Sequence, residues 1–268
     1  MNWLLLRGLG REQRHWYDFP ERLRAVVGPD SVRLLDLAGA GTERERLPVP
    51  SVAWLARDVA RRVLTARDAA HELAGPRLED AQGRRSWCVI GLSLGGMVAL
   101  ELAWLWPERI AHTLVINASA NITPLASRLV PAALWGLGGT LLAREPALRE
   151  ARVLALTSAL PSSRRDEIAL QATAFAAPRR LALLSQLCAA ARFFPPSPRS
   201  VRPPLSFLGS RHDRLVSVVC SRDLARRYGA PYEEHPWAGH DLTLDDPDWV
   251  CARVARIRAE HATATCQG

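Results

Sequence analysis

Three residues whose chemistry suits acyl transfer are spread along the chain: Ser93, Asp213 and His240. Ser93 stands at the centre of Gly91-Leu92-Ser93-Leu94-Gly95, a Gly-x-Ser-x-Gly pattern. A serine hydroxyl is a weak nucleophile, so it needs a base to take its proton, and the base needs a carboxylate to orient it. Asp213 and His240 each lie in a turn that follows a predicted strand. The sequence therefore predicts a serine nucleophile, a histidine base and an orienting aspartate.

The residues on either side of Ser93 make this pattern more specific. Residues 87–90 form a short apolar run that predicts a buried strand, and residues 97–106 predict a helix. A serine on a sharp strand-to-helix turn is a nucleophile elbow, which needs glycine at 91 and 95 because a side chain there would collide with neighbouring backbone. Such a turn exposes the serine Oγ and directs the Leu94 N–H at a developing oxyanion.

Each of these residues also has a purely structural interpretation. The Gly-x-Ser-x-Gly pattern could be an ordinary turn at the start of a helix, Asp213 could pair with Arg214, and His240 could cap a helix. His212 is expected on the surface or behind the site, and three further histidines are expected to be structural: His71, His112 and His235. The acids that follow His240 are expected to cap or charge the last helix: Asp241, Asp245 and Asp246.

The elements that position these residues alternate between strands and helices. Apolar runs predict strands at residues 3–6, 32–37, 86–90, 113–117, 205–208 and 232–235. Helices are predicted at residues 14–27, where Pro20 could divide the helix into two pieces, from a Ser51 cap to about residue 73, at 218–228 and at about 244–260. This alternation is typical of βαβ units and of a mostly parallel sheet covered by helices on both faces, an α/β fold.

The alternation is interrupted in the middle of the chain. Residues 122–198 are rich in Ala, Leu and Arg, and prolines divide them into short predicted helices without a strand pattern. The sequence thus predicts an α/β core from residues 1–117 and 201–268, with an all-helical cap, or lid, at residues 118–200.

Composition and charge restrict the partners. The 268 residues suit one α/β domain with an insertion, and 48% hydrophobic with 23% charged residues is ordinary for a soluble globular protein. The formal net charge is +8, and every Lys or Arg position in the chain is arginine, since the chain has no lysine. Such a surface could attract an acidic protein, phosphate or an anionic membrane, but a compositional bias explains the arginines as well. No arginine run with interleaved aromatic residues predicts a nucleic-acid groove.

Cysteine usage and hydropathy predict a cytoplasmic protein. The five cysteines are widely spaced and include no Cys-x-x-Cys pair, which argues against a disulfide framework or a zinc site. The apolar run at residues 3–6 is too short for a signal peptide. Two long stretches without Arg, Asp or Glu, residues 110–127 and 129–143, fall short of the roughly 20 apolar residues that span a bilayer. We expect no stable membrane insertion, no metal and no cofactor.

The chain resembles the α/β-hydrolase superfamily over nearly its whole length, and within it the small carboxylesterases with a helical cap, such as the pimeloyl-acyl-carrier-protein methyl ester esterases. The resemblance rests on Arg7-Gly8-Leu9-Gly10 followed by Trp16, the loop at 36–41, the elbow, and the turns that hold Asp213 and His240. It implies that Ser93 is the nucleophile, His240 the general base and acid, and Asp213 its orienter. The backbone N–H groups of Leu9 and Leu94 are then the oxyanion hole.

Candidate substrate-binding residues come from two places, the first loop with Arg7 and Trp16 and the cap with Leu134 and Trp135. Arg7 stands where the family has histidine, and the alternative is that it pairs with a nearby carboxylate. The apolar cap residues could equally be the core of the cap itself.

The residue types favour one reaction and leave alternatives open. A serine at 93 argues against haloalkane dehalogenases and epoxide hydrolases, which resemble this fold but have aspartate there. Hydrolysis of a small carboxylic ester is the first hypothesis. An acyl-carrier-protein methyl ester esterase or thioesterase is an alternative, favoured by the arginines of the cap, and a non-catalytic ligand-binding protein on the same scaffold is another.

The first strands of the chain also generate a prediction about assembly. Only Met1 and Asn2 precede the first strand, so the family's two leading antiparallel strands are expected to be missing, unless the chain start is misplaced. The sheet would then have about six strands, with residues 32–37 as an exposed edge that invites pairing with a second copy. We expect a homodimer by light scattering, and a strictly monomeric mass would contradict this prediction.

Overall fold

Six parallel strands form one sheet in the order β2-β1-β3-β4-β5-β6. The computed structural model describes residues 1–64, 87–131, 133, 143, 145–175 and 177–266. The strands are β1 Asn2–Leu6, β2 Val32–Leu35, β3 Trp87–Leu92, β4 Ile110–Ile116, β5 Leu205–Ser210 and β6 Tyr232–His235. The helices are α1 Phe19–Val27, α2 Val52–Val63, α3 Leu94–Leu105, α4 Leu125–Arg128, α5 Pro146–Thr157, α6 Ser162–Gln171, α7 Arg180–Arg192, α8 Val218–Tyr228, α9 Leu242–Asp245 and α10 Pro247–Cys266. The predicted α/β fold with a parallel sheet of about six strands is confirmed.

Helices cover the sheet on both faces, so the central strands are apolar throughout. In β1, Leu4 and Leu6 point to the cluster formed with α2, α3 and α8. Trp3 and Leu5 point to the opposite cluster, formed with α1 and α10. The alternation follows from the two-residue period of a strand. The two clusters enclose the sheet and hold its carboxyl edge in place.

The predicted edge strand is β2, which is half-buried along its length and pairs only with β1 among the described strands. It ends at Leu35, two residues before the predicted boundary. The cause is Asp36, whose carboxylate accepts the N–H groups of Gln13 and Thr42 at 2.6 and 2.8 Å and so turns the chain out of the sheet. Pairing of two copies through this edge stays a prediction.

Helix boundaries follow local chemistry. Ser51 caps α2 by accepting the Trp54 N–H, as predicted. The predicted helix at 14–27 is instead a short 3-10 turn, Gln13–Trp16, followed by α1. Pro20 does not cause this break, because it lies in the first turn of α1, where proline fits. The break is at Tyr17, whose φ is 51°.

Between β4 and β5, the described residues form helices, 3-10 turns and loops, and α7 packs on α2 and α3. We refer to this segment as the cap; that it forms a separate lid with the predicted boundaries stays a prediction. The continuation of the Ser51 helix to residue 73, His71, and the cap residues Leu134 and Trp135 lie outside the described residues. None of the helices in the described part of the chain has the length and apolar character needed to cross a bilayer.

Glu101 in α3 is an acid enclosed by the core, with a relative exposure of 6%. Its Oε2 has no hydrogen-bond partner in the described part of the chain. Burial raises the pKa of Glu101 to about 7, and Arg57 in α2 opposes this only in part.

We expect Glu101→Gln to be more stable than the wild type at pH 8 and nearly equal to it at pH 4. The pKa of Glu101 is raised on folding, so wild-type stability falls as the pH rises from the ordinary value of 4.5 to about 7 and then levels off. Urea unfolding midpoints across this range measure the effect. The exposed Glu108→Gln is the control, and a pH-independent difference between wild type and Glu101→Gln would contradict the assignment.

Candidate active site

Ser93 occupies the turn between β3 and α3 in a strained backbone conformation, with φ 58° and ψ −120°. A non-glycine residue rarely adopts a positive φ. The strain is accommodated because Gly91 and Gly95 leave room: a Cβ on Gly91 would strike the Gly95 carbonyl, and one on Gly95 would strike the Leu6 carbonyl. The Ser93 N–H donates to the Ile116 carbonyl at 2.8 Å. This geometry is that of a nucleophile elbow, as predicted.

Asp213 and His240 are joined by a buried hydrogen bond, with 2.7 Å between His240 Nδ1 and Asp213 Oδ2. The other carboxylate oxygen, Oδ1, accepts the N–H groups of Leu215 and Val216 at 2.8 and 2.9 Å. These backbone contacts hold the carboxylate in one orientation. Because Nδ1 donates its proton to Asp213, Nε2 carries the lone pair that a general base needs.

The nucleophile, the acid and the base follow β3, β5 and β6, so all three lie at the carboxyl edge of the sheet. Ser93 Oγ has no hydrogen-bond partner among the described residues, so no direct hydrogen bond joins the serine to His240. Catalytic hydrogen bonds are often long or missing before substrate binds. The roles of the three residues in catalysis stay a prediction that this arrangement permits.

The two backbone groups predicted as the oxyanion hole donate to no acceptor in the described part of the chain. Neither the Leu9 N–H nor the Leu94 N–H has a hydrogen-bond acceptor within the described ranges. Gly8 lies against the nucleophile, since a Cβ on it would be 3.6 Å from Ser93 Oγ. The next amide of the loop, Gly10 N–H, is already used: it donates to Gln186 Oε1 at 2.9 Å. Leu9 and Leu94 therefore remain the available donors.

Arg7 forms a buried two-point ion pair with Asp241. Its Nη1 and Nη2 donate to the two carboxylate oxygens at 3.0 and 2.6 Å, and both side chains are at most 4% exposed. Burial alone would raise the pKa of Asp241, but the Arg7 guanidinium, aided by Arg11 and His240, holds this pKa below its ordinary value. The ion pair joins the loop after β1, which carries Leu9, to the residue next to His240.

The expectation that Arg7 and Trp16 contact substrate is not supported by their surroundings. The Arg7 guanidinium is occupied by Asp241 and lies 4.8 Å from the centre of the Trp16 ring. Trp16 itself is 1% exposed and packs on Phe19 in the core. Neither side chain offers a surface to a substrate, and the alternative pairing of Arg7 with a carboxylate is what the structure contains.

Two of the three acids after His240 do not cap the last helix. Asp241 pairs with Arg7 because its carboxylate points into the protein. Asp245 accepts the N–H of Gly239 at 2.7 Å, the N–H of Ala159 at 2.9 Å and the hydroxyl of Ser158 at 2.5 Å. Asp246 does cap α10, through the Trp249 N–H at 3.0 Å.

Helices of the cap are attached directly to the loops of the site. Asp245 binds the loop after α5 to the base loop, and the Asp241 N–H donates to the Thr157 carbonyl at 2.7 Å. Gln186 in α7 bridges the first loop to the β2 loop by accepting from Gly10 N–H and donating to the Ala38 carbonyl at 2.8 Å. Sequence reasoning missed these contacts, which join residues distant in the chain.

Comparison with known proteins agrees with this architecture. A model of the alpha/beta hydrolase family matches residues 3–253. The putative carbamate hydrolase RutD of Caulobacter sp. (strain K31) is 26% identical over 267 residues, which is 97% of this chain and 91% of that protein. A homoserine O-acetyltransferase of Thermus thermophilus is 49% identical over 63 residues, covering 24% of this chain and 16% of that protein.

Solved structures share the fold at low identity. A putative non-heme bromoperoxidase, BpoC from Mycobacterium tuberculosis H37Rv, has a TM-score of 0.70 at 17% identity, covering 97% of this chain and 92% of that one. A thermophilic esterase from Thermogutta terrifontis has a TM-score of 0.65 at 19% identity, covering 97% and 90%. At these identities the likeness shows the fold alone.

We expect Arg7→Met to lower the free energy of unfolding by about 3–5 kcal/mol, because it leaves the Asp241 carboxylate buried without its counter-charge. The double variant Arg7→Met, Asp241→Leu should recover most of this loss. The folded pKa of Asp241 is lowered, so the wild-type stabilisation is present above the ordinary value of 3.8 and is lost as the pH falls through the folded pKa.

Urea unfolding at pH 7 and pH 3 measures both effects. Arg24→Met is the control, because the Arg24–Glu21 pair lies on the surface and contributes little. Equal stabilities of wild type and Arg7→Met would contradict the importance of this ion pair.

Proposed function

The chain belongs to the alpha/beta hydrolase family, and on that premise we propose that it is a serine hydrolase that cleaves carboxylic esters through a Ser93 acyl-enzyme. The observation that carries the proposal is the His240–Asp213 hydrogen bond of 2.7 Å, at the same sheet edge as the strained Ser93 turn. A buried imidazole held by a carboxylate beside an elbow serine is the arrangement that activates a serine hydroxyl.

In the proposed acylation, His240 Nε2 takes the proton of Ser93 as its Oγ bonds to the carbonyl carbon of the ester. The carbonyl oxygen becomes an oxyanion that accepts hydrogen bonds from the Leu9 and Leu94 N–H groups. The protonated His240 then gives its proton to the leaving alcohol as the C–O bond breaks. Asp213 remains ionised and holds the imidazolium in place.

Deacylation repeats these steps with water. His240 takes a proton from water as the water oxygen attacks the acyl carbon. The bond between the acyl carbon and Ser93 Oγ then breaks, and His240 returns the proton to Ser93. The products are the carboxylic acid and the free enzyme. The backbone donors act twice, once in each tetrahedral intermediate, and removing one such donor typically costs on the order of a hundredfold or more in rate.

The relatives support hydrolase chemistry, but their names do not single out an ester as the substrate. RutD, alignable over 97% of the chain, is named a putative carbamate hydrolase, and a carbamate carbonyl is attacked by the same chemistry. A carbamate is therefore a second candidate substrate.

An ester on an acidic acyl carrier protein is a narrower form of the same proposal. Its support is the set of exposed arginines among the described residues of the cap: Arg164, Arg179, Arg180, Arg192 and Arg199. Two of them are already paired, Arg164 with Glu167 and Arg179 with Glu45, which weakens that support. Substrate contacts of Leu134 and Trp135, a cytoplasmic location and a homodimer also stay predictions.

We expect the purified protein to hydrolyse p-nitrophenyl or methyl esters within a series of graded acyl length, and Ser93→Ala to lower kcat at least about a thousandfold. A fluorophosphonate probe should label the wild type and not Ser93→Ala. The matched control is Ser221→Ala, which changes another buried serine, in α8. A folded wild type that neither reacts with the probe nor exceeds the rate of Ser93→Ala would support a non-catalytic binding protein instead.

A further inference from the structure

The end of β4 touches the loops of all three predicted triad residues. The Ile116 carbonyl accepts the N–H of Ser93 at 2.8 Å. The next residue, Asn117, contacts both other loops through its side chain. β4 lies between β3 and β5 in the sheet, so its carboxyl end borders the elbow after β3 and the acid turn after β5. From there the Asn117 side chain also reaches the base loop, which follows β6.

The Asn117 carboxamide uses both its donor and its acceptor. Nδ2 donates to the His240 carbonyl at 2.8 Å, to the Gly239 carbonyl at 3.3 Å and to Ser210 Oγ at 2.9 Å. Oδ1 accepts the Ser210 N–H at 2.9 Å. Ser210 in turn begins the acid turn, since the Asp213 N–H donates to its carbonyl at 3.3 Å. The single side chain thus holds the backbone of the base and the start of the acid turn.

The residue type fits this place for two reasons. Asn117 has φ 47°, a left-handed conformation that asparagine tolerates better than most other residues. The position also needs a donor and an acceptor on one short side chain, which an amide supplies and a carboxylate does not. Asn117 is only 2% exposed, so it has no surface for a substrate.

We propose that Asn117 is a positioning residue that fixes the His240 and Asp213 loops relative to the Ser93 elbow. This inference rests on the proposed function for its kinetic consequence, but its structural consequence is independent of any substrate. Loss of the carboxamide removes the hydrogen bonds that hold the His240 backbone. The substitution leaves Ser93, Asp213, His240 and the glycines of the elbow unchanged. A displacement of the base by about 1 Å is enough to cost on the order of a hundredfold in rate.

The kinetic test uses Asn117→Ala and an ester that the wild type hydrolyses. We expect kcat to fall about 10–100-fold with KM within about twofold, because Asn117 aligns the base and does not meet the substrate. Leu114→Ala is the matched control for lost stability, since Leu114 lies in β4, three residues before Asn117, and is buried in the core. Asn121→Ala, four residues after Asn117 and exposed, is the control for residue type.

The structural test is hydrogen exchange of the same proteins without substrate. In Asn117→Ala, amides of residues 210–216 and 237–241 should exchange faster than in Leu114→Ala. Asn117→Asp keeps the size, the tolerance of a left-handed backbone and an acceptor for the Ser210 N–H, but it lacks the donors to His240 and Gly239. It should therefore loosen residues 237–241 more than residues 210–216, and it covers the case in which Asn117→Ala does not fold.

The kinetic and exchange tests distinguish failure of the proposed esterase function from failure of the positioning role of Asn117. A wild type without esterase activity overturns the proposed function, while the exchange comparison still decides whether Asn117 holds the loops. An active wild type with unchanged kcat in Asn117→Ala, or exchange of both loops no faster than in Leu114→Ala, overturns the positioning role. A fall in kcat equal to that of Leu114→Ala also overturns it, because lost stability alone then accounts for the effect.

Discussion

The left-handed backbone of Ser93 is the constraint on which the site depends. A side-chain-bearing residue held at φ 58° is strained by roughly 1–3 kcal/mol, so its surroundings must over-determine it. Here β3 and α3 hold the turn from both ends, glycines at 91 and 95 make the space, and the Ile116 carbonyl fixes the Ser93 N–H. The apolar core on both faces of the sheet supplies the rigidity, and the strain presents the serine hydroxyl at the sheet edge.

The remaining parts of the site are attached to this turn by polar contacts between neighbouring loops. Arg7–Asp241 joins the first loop to the base loop, Asn117 joins the acid and base loops, and Asp245 joins the base loop to the cap. Each is buried, where hydrogen bonds gain from the low dielectric and an unmade one is costly. The loops are therefore held to one another, so a change in one contact is expected to displace the base or the oxyanion donors.

Most of the fold and the three triad candidates were predictable because their signals are local. Apolar runs mark the strands, and Ser93, Asp213 and His240 each follow one. The partner of Asp241 was not predictable, since Arg7 lies 234 positions away and the acid next to a helix start equally fits a cap. Asn117 had a weak signal, an asparagine directly after a buried strand. Nothing in the sequence indicates which loops its amide meets, because that depends on strand order.

The central claim, covalent catalysis by Ser93, is tested most directly by trapping the acyl-enzyme. An activated ester such as p-nitrophenyl acetate has a good leaving group, so the wild type should be acylated faster than water releases the acyl group, and the acyl-enzyme should accumulate during turnover. Intact-mass spectrometry after rapid acid quench should show one added acetyl group, and peptide mapping should place it on Ser93. Turnover by the wild type without an adduct, or an adduct on another residue that persists in Ser93→Ala, would contradict the account.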